Sequence, residues 1–183
     1  MARLVPLPRD KMDPDFARYF EELMRTGGRT GGPSVAYMRN PHFFKLNQAM
    51  GDAIRANSLT PAERQIAVLT TIRHYNARFA WTVQTRQALA AGVKGETIDA
   101  INERRRPQLG HASETAAWEV ADMLASKRSI DDGTYSRALA ALGEQRLVDL
   151  VITVGFFSMV GTTLGAFDID PPAAELCKAF LDK

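Results

Sequence analysis

Cysteine is nearly missing from this sequence. The chain of 183 residues holds one, Cys177. That excludes an intrachain disulfide and any CxxC redox or thiolate–metal motif, and it suits a reducing compartment. Histidine is scarce as well: His42, His74 and His111 stand far apart without HExxH spacing, so neither a metal nor another cofactor is expected. A bias of charge is also lacking. The chain has 23 Lys plus Arg against 21 Asp plus Glu, a net +2, which gives no reason to expect nucleic acid or an anionic membrane as partner. Residues Met1 to Lys11 contain no unbroken apolar run ahead of a small-residue cleavage site. They do not read as a signal peptide, and a cytoplasmic location is expected. The 18 uncharged residues from Leu150 to Phe167 reach the length of a membrane span, with Gly161 and Gly165 at GxxxG spacing. Gly, Ser and Thr dilute this stretch and no basic cluster flanks it, so it reads as a buried central helix.

Period-2 alternation is missing too, and helical spacing fills its place. With 45% apolar and 24% charged residues, composition fits one globular domain over residues 1–183 with a core that needs no staple. Asp13-Pro14 opens a helix that carries Phe16, Tyr19, Phe20, Leu23 and Met24 on one side, after an N-terminal extension over 1–12. Thr26 to Pro33 has four glycines in eight residues and reads as a loop. Asn40-Pro41 opens a second helix, and Thr60-Pro-Ala-Glu63 is a capping box with proline at the first helical position. That helix runs to about Tyr75, breaks at Asn76 to Arg78, and resumes to Ala91, where Gly92 caps it. Further helices are expected from Lys94, Ser113 and Asp131 or Asp132. Gly143 leads into the long apolar helix, and a short C-terminal helix is expected over 171–183. The expectation is an all-α bundle of eight or nine helices.

Three segments carry a resemblance. Arg64-Gln65-Ile66-Ala67-Val68-Leu69, then Phe79-Ala80-Trp81-Thr82-Val83-Gln84, then Ala88-Leu89-Ala90-Ala91-Gly92 follow the layout of the carboxymuconolactone decarboxylase family, which includes the alkylhydroperoxidase D proteins. Arg73-His74-Tyr75-Asn76 resembles one branch of its decarboxylase-like members. Leu147 to Met159 and Leu164 to Asp168 look like its C-terminal helix, so the likeness spans roughly residues 40–170. It implies an alkylhydroperoxidase D-like fold and a homo-oligomer, a trimer or a hexamer. The apolar helices Phe43 to Ile54 and Leu147 to Phe167 are compatible with that, offering more hydrophobic surface than one small core needs.

The departures from the family pattern carry the chemistry. Gln65 stands where the family usually has Glu, Ala80 replaces the Glu before the Trp, and Gln84 replaces the following His. The two cysteines of the peroxidase branch align with Ala77 and Ala80. Without a thiolate and a resolving thiol, hydroperoxide reduction is not expected. Glutamine amides donate and accept hydrogen bonds but exchange no proton near neutral pH, so a binding pocket survives better than an acid–base site. Ala77, Ala80 and Gln84 fall at i, i+3 and i+7, one helical face, and Gln65, Ile72 and Asn76 share a face on the preceding helix.

The candidate catalytic set is therefore His74, Gln84 and Gln65. His74 is the one nearby group that titrates around neutrality, although nine residues past Gln65 on a continuous helix it faces the other way. Arg73, Tyr75, Ala77, Ala80, Trp81 and Phe157 are candidate substrate-binding residues. Each also has a plainer reading: core packing for Tyr75, Trp81 and Phe157, a helix-terminal or salt-bridge role for Arg73, a cap for His74, and surface or subunit contact for the glutamines. The expected function is binding or decarboxylation of a small cyclic or aromatic-derived carboxylic acid. The alternative is a non-catalytic binding or assembly scaffold.

Overall fold

The computed structural model describes residues 2–169 and Pro171. The rest of the expected C-terminal helix, and Cys177, lie outside the described residues. After a 3-10 turn at Arg9–Lys11 the elements are α1 (Pro14–Arg25), α2 (Ser34–Tyr37), α3 (Pro41–Arg55), α4 (Pro61–His74), α5 (Arg78–Ala90), α6 (Gly95–Asn102), α7 (Ala112–Lys127) and α8 (Asp132–Phe167). No strand occurs among the described residues.

Helix starts follow the side chains that cap them. The Asp13 carboxylate accepts from the amides of Asp15 and Phe16 at 3.0 Å, and Asn40 accepts from the Phe43 amide at 3.0 Å. At α4 both halves of the capping box form: the Glu63 amide donates to Thr60 Oγ1 at 3.3 Å, and the Thr60 amide donates to Glu63 Oε2 at 3.0 Å. These bonds satisfy amides that a helix leaves unpaired at its first turn.

α4 is the central helix. Every residue from Gln65 to Arg73 is buried, and the helix packs against α5, α7 and α8. Ile66, Leu69 and Ile72 join a cluster with Trp81 of α5, Ile98 of α6 and Val160 and Leu164 of α8. On its other side Ala67 meets Val120 and Ala121 of α7 and Leu147, Leu150 and Val154 of α8. A third, aromatic cluster of Phe16, Tyr37 and Phe44 ties α1 to α2 and α3.

α8 is the one described helix long and apolar enough to cross a membrane, with a mean hydropathy of 1.8 over its most apolar window. In this fold it is a core helix, supplying buried residues to two clusters. It is broken at Gly143, whose φ of 74° and ψ of 169° are non-helical, as the sequence spacing predicts. Gly161 lies close against Tyr75, the C-cap of α4. A Cβ there would stand 2.6 Å from Tyr75 Cβ. The N-terminal extension lies back on the end of α8, with the Arg3 amide donating to Phe167 O at 2.9 Å and its guanidinium to Ala166 O at 3.0 Å.

Candidate functional site

A cavity of about 360 Å³ opens between α3, the first half of α4, α5 and the second half of α8. Its size falls in the range of ligand pockets, about 300–1,000 Å³. The glycine-rich loop 26–33 roofs it with Gly28, Arg29, Thr30, Gly31 and Pro33. That roof needs its glycines. Gly32 sits at φ 58°, and a Cβ on it would stand 2.4 Å from the Phe79 ring. Three bonds hold the loop down: Ser34 Oγ and Gln48 Nε2 donate to Arg29 O at 3.0 and 2.8 Å, and Arg29 Nη2 donates to Gln48 O at 2.5 Å.

One side of the cavity is apolar. Val68, Phe79, Val83, Phe156, Phe157 and Val160 line it, with the rings of Phe156 and Phe157 edge to face at 5.3 Å. The other side is polar and cationic: Arg29, Arg55 and Arg64 with the carboxamides of Asn47, Gln65, Gln84 and Gln87. Arg29 and Arg55 share Asp52. Arg64 has no carboxylate partner among the described residues. Its Nη1 donates to the neutral Asn57 Oδ1 at 3.2 Å and to Leu59 O at 3.1 Å. Burial, with the charge of Arg55 nearby, holds this guanidinium below its ordinary pKa. It stays a cation at neutral pH. Among the described residues that line the cavity there is no carboxylate, histidine or cysteine, so no side chain there exchanges a proton near neutral pH.

The sequence-level candidates divide between three places. Gln65, Ala80, Gln84 and Phe157 come together on the cavity. Arg73 and His74 point the other way, to a small depression with Asp122 and Trp118. There His74 Nε2 is 2.8 Å from Asp122 Oδ1. Arg73, 2% exposed, donates from Nε to Asn102 O at 2.7 Å and from Nη1 to Asn76 Oδ1. Tyr75, Ala77 and Trp81 belong to the core beside the cavity. The face expected to join Gln65, Ile72 and Asn76 is not formed, because α4 ends at His74 and Asn76 turns left-handed at φ 50°. Its carboxamide then accepts from Arg73 and Arg104.

Residues that sequence reasoning does not single out complete the site: Arg29, Asn47, Arg55, Arg64, Phe79 and Gln87. Arg64 sits inside a matched motif, and four glycines around Arg29 and Thr30 mark a loop that must press on something. Asn47 and Arg55 give no signal, since only the packing of α3 brings them here.

The sequence model of the Carboxymuconolactone decarboxylase family matches residues 41–123. No curated protein matches the sequence. Among solved structures, an uncharacterized peroxidase-related protein with an alkylhydroperoxidase AhpD core, from Ralstonia eutropha JMP134, has a TM-score of 0.76 at 13% identity, covering 100% of this chain and 98% of that one. A second uncharacterized peroxidase-related protein, from Silicibacter sp. TM1040, has a TM-score of 0.77 at 15% identity, with coverage of 97% and 95%. The debrominase Bmp8, in a cysteine-to-alanine variant complexed with 2,3,4-tribromopyrrole, has a TM-score of 0.72 at 17% identity, with coverage of 94% and 92%. Such identities speak for the fold alone. The matched segment holds α3 through most of α7, so over residues 41–123 the chain is similar to the carboxymuconolactone decarboxylase family, and its fold is that of an alkylhydroperoxidase D-like core.

Proposed function

We propose that the cavity binds a small cyclic or aromatic-derived carboxylic acid, with the carboxylate on Arg64 and the ring against Phe79, Phe156 and Phe157. The observation that carries this is Arg64 itself, a half-buried cation on the cavity lining with no acidic partner among the described residues. A carboxylate between Arg64 and Arg55 relieves their repulsion and accepts charge-assisted hydrogen bonds. The tribromopyrrole complex of the debrominase supports a small planar ring as cargo for this fold.

The reading is of a binding pocket without a side-chain acid–base pair. Gln65 and Gln84 orient a ligand but move no proton. Any decarboxylation there would leave the electron pair on the ligand to be protonated by water. Positive charge and hydrogen bonds would be the only stabilisers supplied by the lining described.

Calorimetry tests the proposal, using benzoates and muconolactone carboxylates on the wild type and on Arg64→Gln. The expected result is binding by wild type, weakened by about tenfold or more in the variant, as for loss of one charge-assisted bond of roughly 1.5–3 kcal/mol. No heat from any carboxylate, or equal affinity in both proteins, overturns it. Ultraviolet loss of 4-carboxymuconolactone, run on the wild type and on Ala80→Glu/Gln84→His, reports turnover separately. Rapid loss with the wild type would contradict a pocket lacking an acid–base pair.

A further inference from the structure

The polar side of the cavity is incomplete in a way that specifies the ligand. Gln65 Oε1, Gln84 Oε1 and Asn47 Nδ2 are buried without a hydrogen-bond partner, and all three side chains line the cavity. Gln65 and Asn47 are only 8% and 5% exposed. More than about 90% of buried polar groups in folded proteins are paired, and an unpaired one carries its full desolvation cost. Three on the lining of one cavity therefore mark a site that a ligand completes.

Their chemistry is not that of a carboxylate site. The amide nitrogen of Gln65 donates to Gln87 Oε1 at 3.4 Å, and the atom of Gln65 left buried without a partner is its acceptor oxygen. Gln84 Oε1 is a second acceptor that is buried and unpaired, and Asn47 Nδ2 is a donor that is buried and unpaired. A carboxylate, a lactone and a ring ketone are all acceptors only. A ligand with no other polar group brings no donor to the two buried glutamine oxygens and leaves both unpaired. A hydroxyl donates once and accepts, and an amino group donates twice.

Building on the carboxylate reading, we propose that this pocket selects ring carboxylic acids that also carry a hydroxyl or amino donor. That donor lies on Gln65 and Gln84, with the Asn47 amide donating to a ligand acceptor. Arg64 fixes the acid end, and the glutamines read the substituent. Replacement of family-typical acidic and basic groups by amides at both positions fits this role, because a neutral acceptor favours O–H and N–H donors without demanding a cation.

The test is calorimetry with matched probes: 3- and 4-hydroxybenzoate and the corresponding aminobenzoates against 3- and 4-methoxybenzoate and benzoate. In the wild type a donor-bearing acid is expected to bind at least about tenfold tighter than its methoxy counterpart. In Gln65→Met/Gln84→Met that ratio is expected to fall to about threefold or less. The single variant Gln84→Met, at the less buried position, gives the same reading if the double variant does not fold, and circular dichroism checks both. Methoxybenzoate matching hydroxybenzoate in wild type, with both weakened by Arg64→Gln, overturns the donor proposal and leaves the carboxylate site standing. A donor preference that survives in the methionine variants also overturns it, by removing the glutamines as its cause. Absence of binding by every probe overturns the carboxylate reading and this proposal together.

Discussion

Glu63 and Arg64 are neighbours in sequence with opposite duties. Arg64 lines the cavity, while Glu63 turns inward, 2% exposed. The Glu63 carboxylate accepts from the Thr60 amide at 3.0 Å and from the Arg146 guanidinium of α8. Burial works against its charge, but hydrogen bonds from Arg146, Ser113 and the Thr60 amide, with the charge of Arg146, outweigh it and lower its pKa. A carboxyl group with a lowered folded pKa stabilises the fold above its unfolded value, about 4.3 for Glu, and that contribution is lost as pH falls toward the folded value. Denaturant midpoints are therefore expected to drop below roughly pH 5. Glu63→Gln should cost roughly 2 kcal/mol at neutral pH and flatten that acid limb. An unchanged limb in the variant would show that other carboxylates set it. Of the candidate site, Gln65 and Gln84 are legible in the sequence because they occupy positions where the family pattern expects acid–base groups. Arg64 is legible only as part of a motif, since its lack of an acidic partner depends on which side chains the fold brings near.

Two glycines show how elements are joined. Gly143 breaks α8 at φ 74°, and nothing lies within 4 Å of the place a Cβ would take. Only its backbone conformation argues against a side chain there, and Gly143→Ala should cost on the order of 1–3 kcal/mol by chemical denaturation. Gly32 differs because the ring of Phe79 occupies its Cβ position. Gly32→Ala should both strain the loop and push Phe79 into the cavity, weakening ligand affinity as well as stability. A variant that lost stability alone would leave the loop no part in binding. Caps and breaks are the most legible features because their signals are local: the box at Thr60, the turn at Asn76 and the glycine at 143 all stand as expected. The short α2 is not legible, since four residues give no periodicity. The role of loop 26–33 as a roof is also hidden from the sequence, because it arises from packing on α5.

At the scale of the molecule, apolar side chains remain on the outside. Val148, Val151 and Ile152 of α8 are exposed, as are Leu46 and Met50 of α3. We propose that these helices meet a second copy of the chain, and the expected outcome in light scattering is a mass above that of one chain. Ile152→Glu is expected to shift it toward the monomer. A wild type that runs as a monomer would remove this face as a contact. The cavity has a consequence of its own at this scale. Its walls come from residues 28 to 160, drawn from the loop, α3, α4, α5 and α8, so an occupant would act as a clasp across most of the polypeptide. Trypsin should then reveal occupancy without any assay of chemistry. Cleavage at Arg29, on the roof of the cavity, is expected to slow as benzoate rises, in proportion to the fraction of chains clasped.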